Sequence, residues 1–318
     1  MKPTMNKCLY CYLPLETSLD FHPGCSKTFF GHTKPPSLPY SIDQMNELAQ
    51  SVIERSVAVP GVQAKLSLST IKDTLDKSNQ RLTVTEAMGG LFILKPPSSY
   101  YQELPQNEHL TMRMAEIFGI SVAPSTLIRL VSGELAFLTR RIDRITRGEK
   151  IHMLDMYQIT EAFDKYKSSM EKVGKALLTY SANPLLDSIL LFELTLFCFI
   201  TGNNDMHLKN FSMIEQPSGW ILAPAYDLLN VAIANPADEE ELALTLLGKK
   251  KNLKRAHFEL FGQKLGLTAK QIEAAFHRFE KKLPDAKALL RRSFLSLEMQ
   301  EAYEALMAKR WEILYRPS

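Results

Sequence analysis

Glycine-rich phosphate loops are missing from this sequence: its 318 residues include only 14 glycines, and none fall into a G-x-G-x-x-G or Walker pattern. Nucleotide sites built on those loops are thereby excluded. Charge of one sign is also lacking, since 38 Lys and Arg face 35 Asp and Glu, and the net +3 gives no general polyanion-binding signature. The longest apolar run, residues 189–200, is about two thirds of the ~20 residues that a membrane span needs. Glu193 interrupts it, so a buried helix is expected there. The opening MKPTMNKCLYCYLPL has no uninterrupted apolar stretch behind its basic residues, so no secretory signal is expected and the chain reads as cytoplasmic. No internal repeat is visible, nor any low-complexity tract beyond one short proline-rich stretch.

Cysteine is scarce, with four residues, three of them within the first 25. In a cytoplasmic chain this clustering favours metal binding over disulfides. The fourth, Cys198, lies in the apolar run and suits a small core position. At 45% hydrophobic, a chain of this length can bury a full core without staples and divides into two lobes.

Residues 1–33, rich in Cys, His and aromatics, form a small N-terminal module, and the prolines of residues 34–40 make an extended linker. Ser41 is placed to cap a helix through residue 55. Between residues 64 and 94 the pieces KLSLS, RLTVT and LFIL have strand length and alternation. A helix over 107–118 follows, then STLIRLV and ELAFLTRR, joined at Ser132-Gly133. Residues 41–143 therefore read as an α+β lobe. Residues 144–318 read as a mainly helical one, with helices near 168–180, 185–200, 254–264, 268–281 and 297–314.

The helical pattern breaks at residues 201–232, where TGNNDMHLKNFS and LAPAYDLLN stand. Asp205 and Asn210 have the D-x-x-x-x-N spacing of a kinase catalytic loop, and Asp227 follows at the end of a strand-like piece. Phosphoryl transfer needs a carboxylate to accept the hydroxyl proton and oxygen ligands for Mg²⁺, and one short loop and a neighbouring Asp supply them. The same residues also suit a polar turn and a helix cap. VAVPGVQAKLSLS turns into a strand where backbone amides could approach phosphate. Lys95 ends LFILK, placed for a phosphate contact or simply solvated, and Glu108 is either its partner or a dipole-favoured helix start.

Taken in order, PGVQAK, FILKP, NEHLTMRMA, FLTRRIDR, GNNDMHLKNFS and YDLL resemble the HipA-like serine/threonine kinases of bacterial toxin-antitoxin systems, over residues 50–318. The resemblance implies a two-lobed protein-kinase-like α+β fold that uses ATP and Mg²⁺. It implies a phosphate-covering loop at Pro60, Gly61, Val62, Gln63, Ala64 and Lys65, a phosphate contact at Lys95, and an adenine-contacting backbone at Arg140, Arg141 and Ile142, with Asp143 near the ribose. It makes Asp205 the proton acceptor, puts nucleotide contacts at His207, Leu208, Lys209 and Asn210, and makes Asn210 and Asp227 the Mg²⁺ ligands, with Tyr226 beside the latter.

By the same resemblance the chain matches a short form whose N-terminal subdomain is a separate small antitoxin subunit, in complex with a DNA-binding antitoxin. The implied substrate is a protein, of the aminoacyl-tRNA synthetase class. Family members silence themselves through a loop serine, where this chain has Ala58 and Pro60, with Ser56 out of register. A small-molecule phosphotransferase and an idle nucleotide-binding module remain alternatives.

Two features stand outside the kinase pattern. Cys8, Cys11, His22 and Cys25 form Cys-x-x-Cys and His-x-x-Cys pairs, which suit either a tetrahedral zinc site or buried free thiols. The basic run GKKKNLKR, residues 248–255, reads as a solvated loop and helix start.

Overall fold

Alternating apolar residues produce the first sheet. The computed structural model describes residues 6–16, 18–55, 65–72, 80–85, 90–145 and 149–316. In it, β1 (Leu66–Lys72), β2 (Gln80–Val84), β3 (Phe92–Lys95), β4 (Ser125–Arg129) and β5 (Leu135–Arg140) form an antiparallel sheet in the order β2-β1-β3-β5-β4. Its buried face carries Leu66, Leu68, Leu82 and Leu94. Gly133, at φ 104°, makes the turn between β4 and β5 that Ser132-Gly133 predicts.

This sheet belongs to the first of two compact units, which comprises Met1–His109, Ala123–Lys150 and Arg292–Phe294. The unit also holds α1 (Pro23–Phe30) and α2 (Ile42–Arg55). Helix α3 (Leu104–Ile117) begins in the first unit and ends in the second.

The second unit holds α4 (Met156–Ile159), α5 (Met170–Tyr180), α6 (Pro184–Thr201), α7 (Val231–Ala234), α8 (Arg255–Lys264), α9 (Ala269–Arg292, its last residue in the first unit) and α10 (Leu297–Tyr315). It also carries a smaller antiparallel sheet of β6 (Met153–Asp155), β7 (Ser212–Gln216) and β8 (Gly219–Leu222). Helix α6 is the centre of this unit and packs against α5, α8, α10 and β8. Long and apolar enough to cross a membrane, it is instead 72% buried within the protein. Glu193, the charge that interrupts its sequence, pairs with Arg278. Pro184 starts it and Gly202, at φ 70°, ends it, each residue suited to that end of a helix.

Two expectations are corrected. Helix α9 does not stop near residue 281 but runs through Pro284 to Arg292, because Ala286, Leu289 and Leu290 beyond the proline are buried and their packing outweighs the lost hydrogen bond. The strand leading toward Asp227 ends at Leu222, and residues 223–230 form an irregular segment. Pro224 cannot donate to a ladder, and beyond the Ala223–Ser212 hydrogen bond the chain makes an isolated bridge from Ala225 to Val122.

Candidate active site

In the second unit the loop after α6 is shaped by short-range hydrogen bonds. Asp205 N–H donates to the Asn203 side-chain oxygen (3.3 Å), and His207 N–H to the Asp205 carbonyl (2.8 Å). The Asn210 side-chain NH₂ donates to that same carbonyl at 3.0 Å. Asn210 thereby spends a donor on the loop, and its amide oxygen, the better metal ligand, takes no part in that bond. Gly202 must be glycine: a Cβ there would lie 2.4 Å from Leu306 Cδ2 and 2.8 Å from Asn230 Oδ1.

The Asp205 carboxylate is held by a residue that no motif announces. Tyr166 donates its hydroxyl to Asp205 Oδ1 at 2.7 Å, and its ring stands edge-on to His207, centroids 5.0 Å apart. Burial, then the hydrogen bond to Asp205 and that carboxylate's charge, push the Tyr166 phenol upward, so it stays protonated and keeps donating. Burial pushes His207 down, helped by Lys165, against the pull of Asp205 and Asp227. Its Nδ1 is buried without a hydrogen-bond partner among the described residues.

Asp227 reaches the loop by another route. Asp187 of α6 accepts the Leu222 N–H at 2.7 Å, pinning the end of β8. The Ala223 N–H donates to the Ser212 carbonyl, and the Tyr226 hydroxyl donates to the Lys209 carbonyl (3.0 Å) while accepting from Ser212 Oγ (2.5 Å). Tyr226 is thus tied to the chain on either side of Asn210, and the charge of Asp227 acts on both Tyr226 and His207. Asp227 has φ 56°, a left-handed conformation that Asp tolerates better than most residues and that concentrates at functional sites. Leu208 is buried and its N–H donates to the Lys165 carbonyl, so any nucleotide contact there falls to its carbonyl. Lys209 is exposed, its ammonium 4.8 Å from the Tyr157 ring.

In the first unit, Lys95 pairs with Glu108: Nζ to Oε1 is 2.5 Å, with side chains 4% and 1% exposed. The pairing reading of these residues is the one seen, and the solvated-lysine reading is not. Lys95 also sits opposite Phe137 on β5, its ammonium 5.4 Å from the ring. The Arg140 and Arg141 amides donate to the Pro124 and Leu91 carbonyls, so an adenine edge would meet Ile142 or carbonyl oxygens instead. Asp143 is clamped by Arg141 (2.9 and 2.7 Å) and Arg144 (2.6 Å). Burial works against ionisation of its carboxyl, but the two guanidinium groups prevail and hold it below the usual carboxylate range. Of the expected phosphate-covering loop, Lys65 is exposed, whereas Pro60 to Ala64, like Ser56 and Ala58, lie outside the described residues.

Also in this unit, single ligand atoms of Cys8, Cys11, His22 and Cys25 all lie within 4.8 Å of one another. The basic run near residue 250 belongs to the second unit and is largely neutralised by neighbours, with Lys250 paired to Glu240, Lys251 to Glu239, and Arg255 to Glu259 and Glu273.

Comparison with known proteins bears on the whole arrangement. A family model described as HipA-like C-terminal domain matches residues 57–287. A Haemophilus influenzae protein with a provisional kinase name is 29% identical over 211 residues, covering 62% of this chain and 59% of its own length. The serine/threonine-protein kinase toxin HipA of Shewanella oneidensis is 26% identical over 210 residues, 59% of this chain and 48% of that protein. The chain thus spans about half the length of these curated relatives. Among solved structures, HipA of Shewanella oneidensis, in complex with HipB and operator DNA, matches with TM-score 0.67 at 22% identity, over 83% of this chain and 70% of that one. The Helicobacter pylori proinflammatory kinase CtkA matches with TM-score 0.54 at 12% identity, over 73% and 87%. Both likenesses establish a kinase-like α+β fold.

Proposed function

The chain belongs to the HipA-like C-terminal domain family, and on that premise we propose that it is an ATP- and Mg²⁺-dependent serine/threonine protein kinase, the toxin of a toxin–antitoxin system. The observation that carries this reading is the 205–210 loop, in which the Asn210 amide closes on the Asp205 carbonyl while Tyr166 holds one oxygen of the Asp205 carboxylate. That hold leaves the second oxygen to accept the proton of an incoming hydroxyl. Asn210 and Asp227 are the metal ligands, and Lys95, fixed by Glu108, is the phosphate contact. The residues fit that cofactor: a neutral amide oxygen and a carboxylate are hard donors of the kind Mg²⁺ takes. When bound, Mg-ATP supplies the phosphoryl group and part of the charge that neutralises it.

The protein acts in the cytoplasm on another protein, of the aminoacyl-tRNA synthetase class. It is held in check by a DNA-binding antitoxin, as its fold neighbour is found with HipB, and by a small antitoxin subunit. Labelled ATP incubated with the protein and a cell lysate tests this. A discrete labelled protein band that vanishes with Asp205→Ala is expected. Label appearing only in small molecules would replace the protein kinase with a small-molecule phosphotransferase.

A further inference from the structure

We propose that Cys8, Cys11, His22 and Cys25 hold a structural zinc ion, and that the turn it organises braces the Lys95–Glu108 pair through Tyr12 and His109. The metal centre stands on its own geometry. The brace rests on the reading of Lys95 as a phosphate contact.

The four ligand atoms, all within 4.8 Å of one another, include Cys11 Sγ at 3.4 Å and Cys25 Sγ at 3.8 Å from His22 Nδ1. A tetrahedral zinc, with bonds of about 2.3 Å to sulfur and 2.0–2.1 Å to nitrogen, sets its ligands roughly 3.5–3.8 Å apart. The imidazole is already in the correct tautomer. His22 Nε2 lies 3.0 Å from the Pro14 carbonyl. A carbonyl only accepts, so Nε2 carries the proton and Nδ1 turns its lone pair toward the three sulfurs. Three thiols cannot pair off in disulfides without leaving one over, and all three are free. The backbone folds around the first pair as a knuckle, with Cys8 N–H donating to Leu13 O and Tyr12 N–H to Cys8 O, both 2.9 Å. The second pair sits where α1 begins, with His22 as its N-cap residue.

Tyr12 follows ligand Cys11 directly and has φ 65°. A bulky residue takes that conformation only where its surroundings dictate it. Its side chain is buried edge-on against His109 and Phe294, and its hydroxyl lies 2.8 Å from His109 Nδ1. The next residue back along α3 is Glu108, the partner of Lys95. Every link from Cys11 to Lys95 lies within the first unit. Backbone hydrogen bonds and the packing of Tyr12 hold the Cys8–Tyr12 turn in its strained form, and in so small a module the ion adds its ligand bonds to them.

The test begins with metal analysis of the full chain purified without chelators. One zinc per chain is expected, lost in Cys11→Ser and Cys25→Ser and kept in Cys198→Ser, whose cysteine lies in α6. Less than about a tenth of a zinc ion per folded chain would remove the centre. Tyr12→Phe should keep its zinc and stay folded, with a melting temperature lowered only by the loss of one buried hydrogen bond. It should also speed amide exchange at residues 107–110 and weaken Mg-ATP binding about tenfold, as loss of a buried hydrogen bond implies. Unchanged exchange in the zinc-loaded variant overturns the brace. Zinc-loaded wild-type protein that binds no Mg-ATP would instead sink the kinase reading, with the zinc count and the exchange result still deciding this one.

Discussion

Glu108→Gln preserves side-chain size and removes the counter-charge of Lys95. Both groups are nearly dry, with 4% and 1% of their side chains exposed and 2.5 Å between them. Removing one member of such a pair leaves the other charge buried without that counter-charge and costs ~3–5 kcal/mol. With an m-value of ~2 kcal/mol/M, the urea midpoint of the first unit falls by roughly 1.5–2.5 M. Replacing both members, Lys95→Met with Glu108→Leu, removes the desolvation penalty together with the attraction and restores stability to within ~1 kcal/mol of wild type. The double variant nevertheless lacks the ammonium proposed to meet phosphate, so it is expected to be stable and to bind Mg-ATP weakly. Both tryptophans, Trp220 and Trp311, lie in the second unit. The measurement is therefore amide exchange in β3 and β5 as a function of urea, alongside circular dichroism. A Glu108→Gln midpoint indistinguishable from wild type, or a double variant as unstable as the single one, would refute the reasoning.

Asp205→Ala is expected to slow transfer by ~10²–10⁴ while Mg-ATP still binds, because only the proposed proton acceptor is removed. Asp227→Ala weakens Mg-ATP binding itself, and equal affinities in a nucleotide titration would contradict its assignment as a ligand. Gly202→Ala forces a Cβ onto Leu306 and Asn230 at a left-handed position, so it lowers both melting temperature and transfer rate; a wild-type melting curve would count against that packing. The Asp143 carboxyl is held below its ordinary 3.8, so its stabilisation is complete above that value and is lost as pH falls through the lower folded value. Wild type should accordingly lose urea resistance below about pH 4 more steeply than Asp143→Asn, and parallel pH profiles would refute the clamp.

Period and spacing alone determine a good deal here. The alternation in KLSLS, RLTVT and LFIL gives β1, β2 and β3, the apolar run around Cys198 gives α6, and the five-residue interval from Asp205 to Asn210 gives a loop that closes on itself. Cys-x-x-Cys and His-x-x-Cys likewise set the two ligands of each pair side by side. These are local matters, settled by backbone geometry within a turn or a strand.

What tertiary structure decides depends on residues far apart in the chain. Tyr166 finds Asp205 across 39 positions and Tyr12 finds His109 across 97, and neither partner stands in a motif that names the other. The continuation of α9 past Pro284 and the left-handed backbone at Asp227 are likewise set by what surrounds them, burial in one case and the ties at Tyr226 and Leu222 in the other. Whether Lys95 is solvated or paired was open for the same reason. An ammonium and a carboxylate 13 residues apart attract in any conformation that brings them near, but only burial in the folded chain removes the water around them.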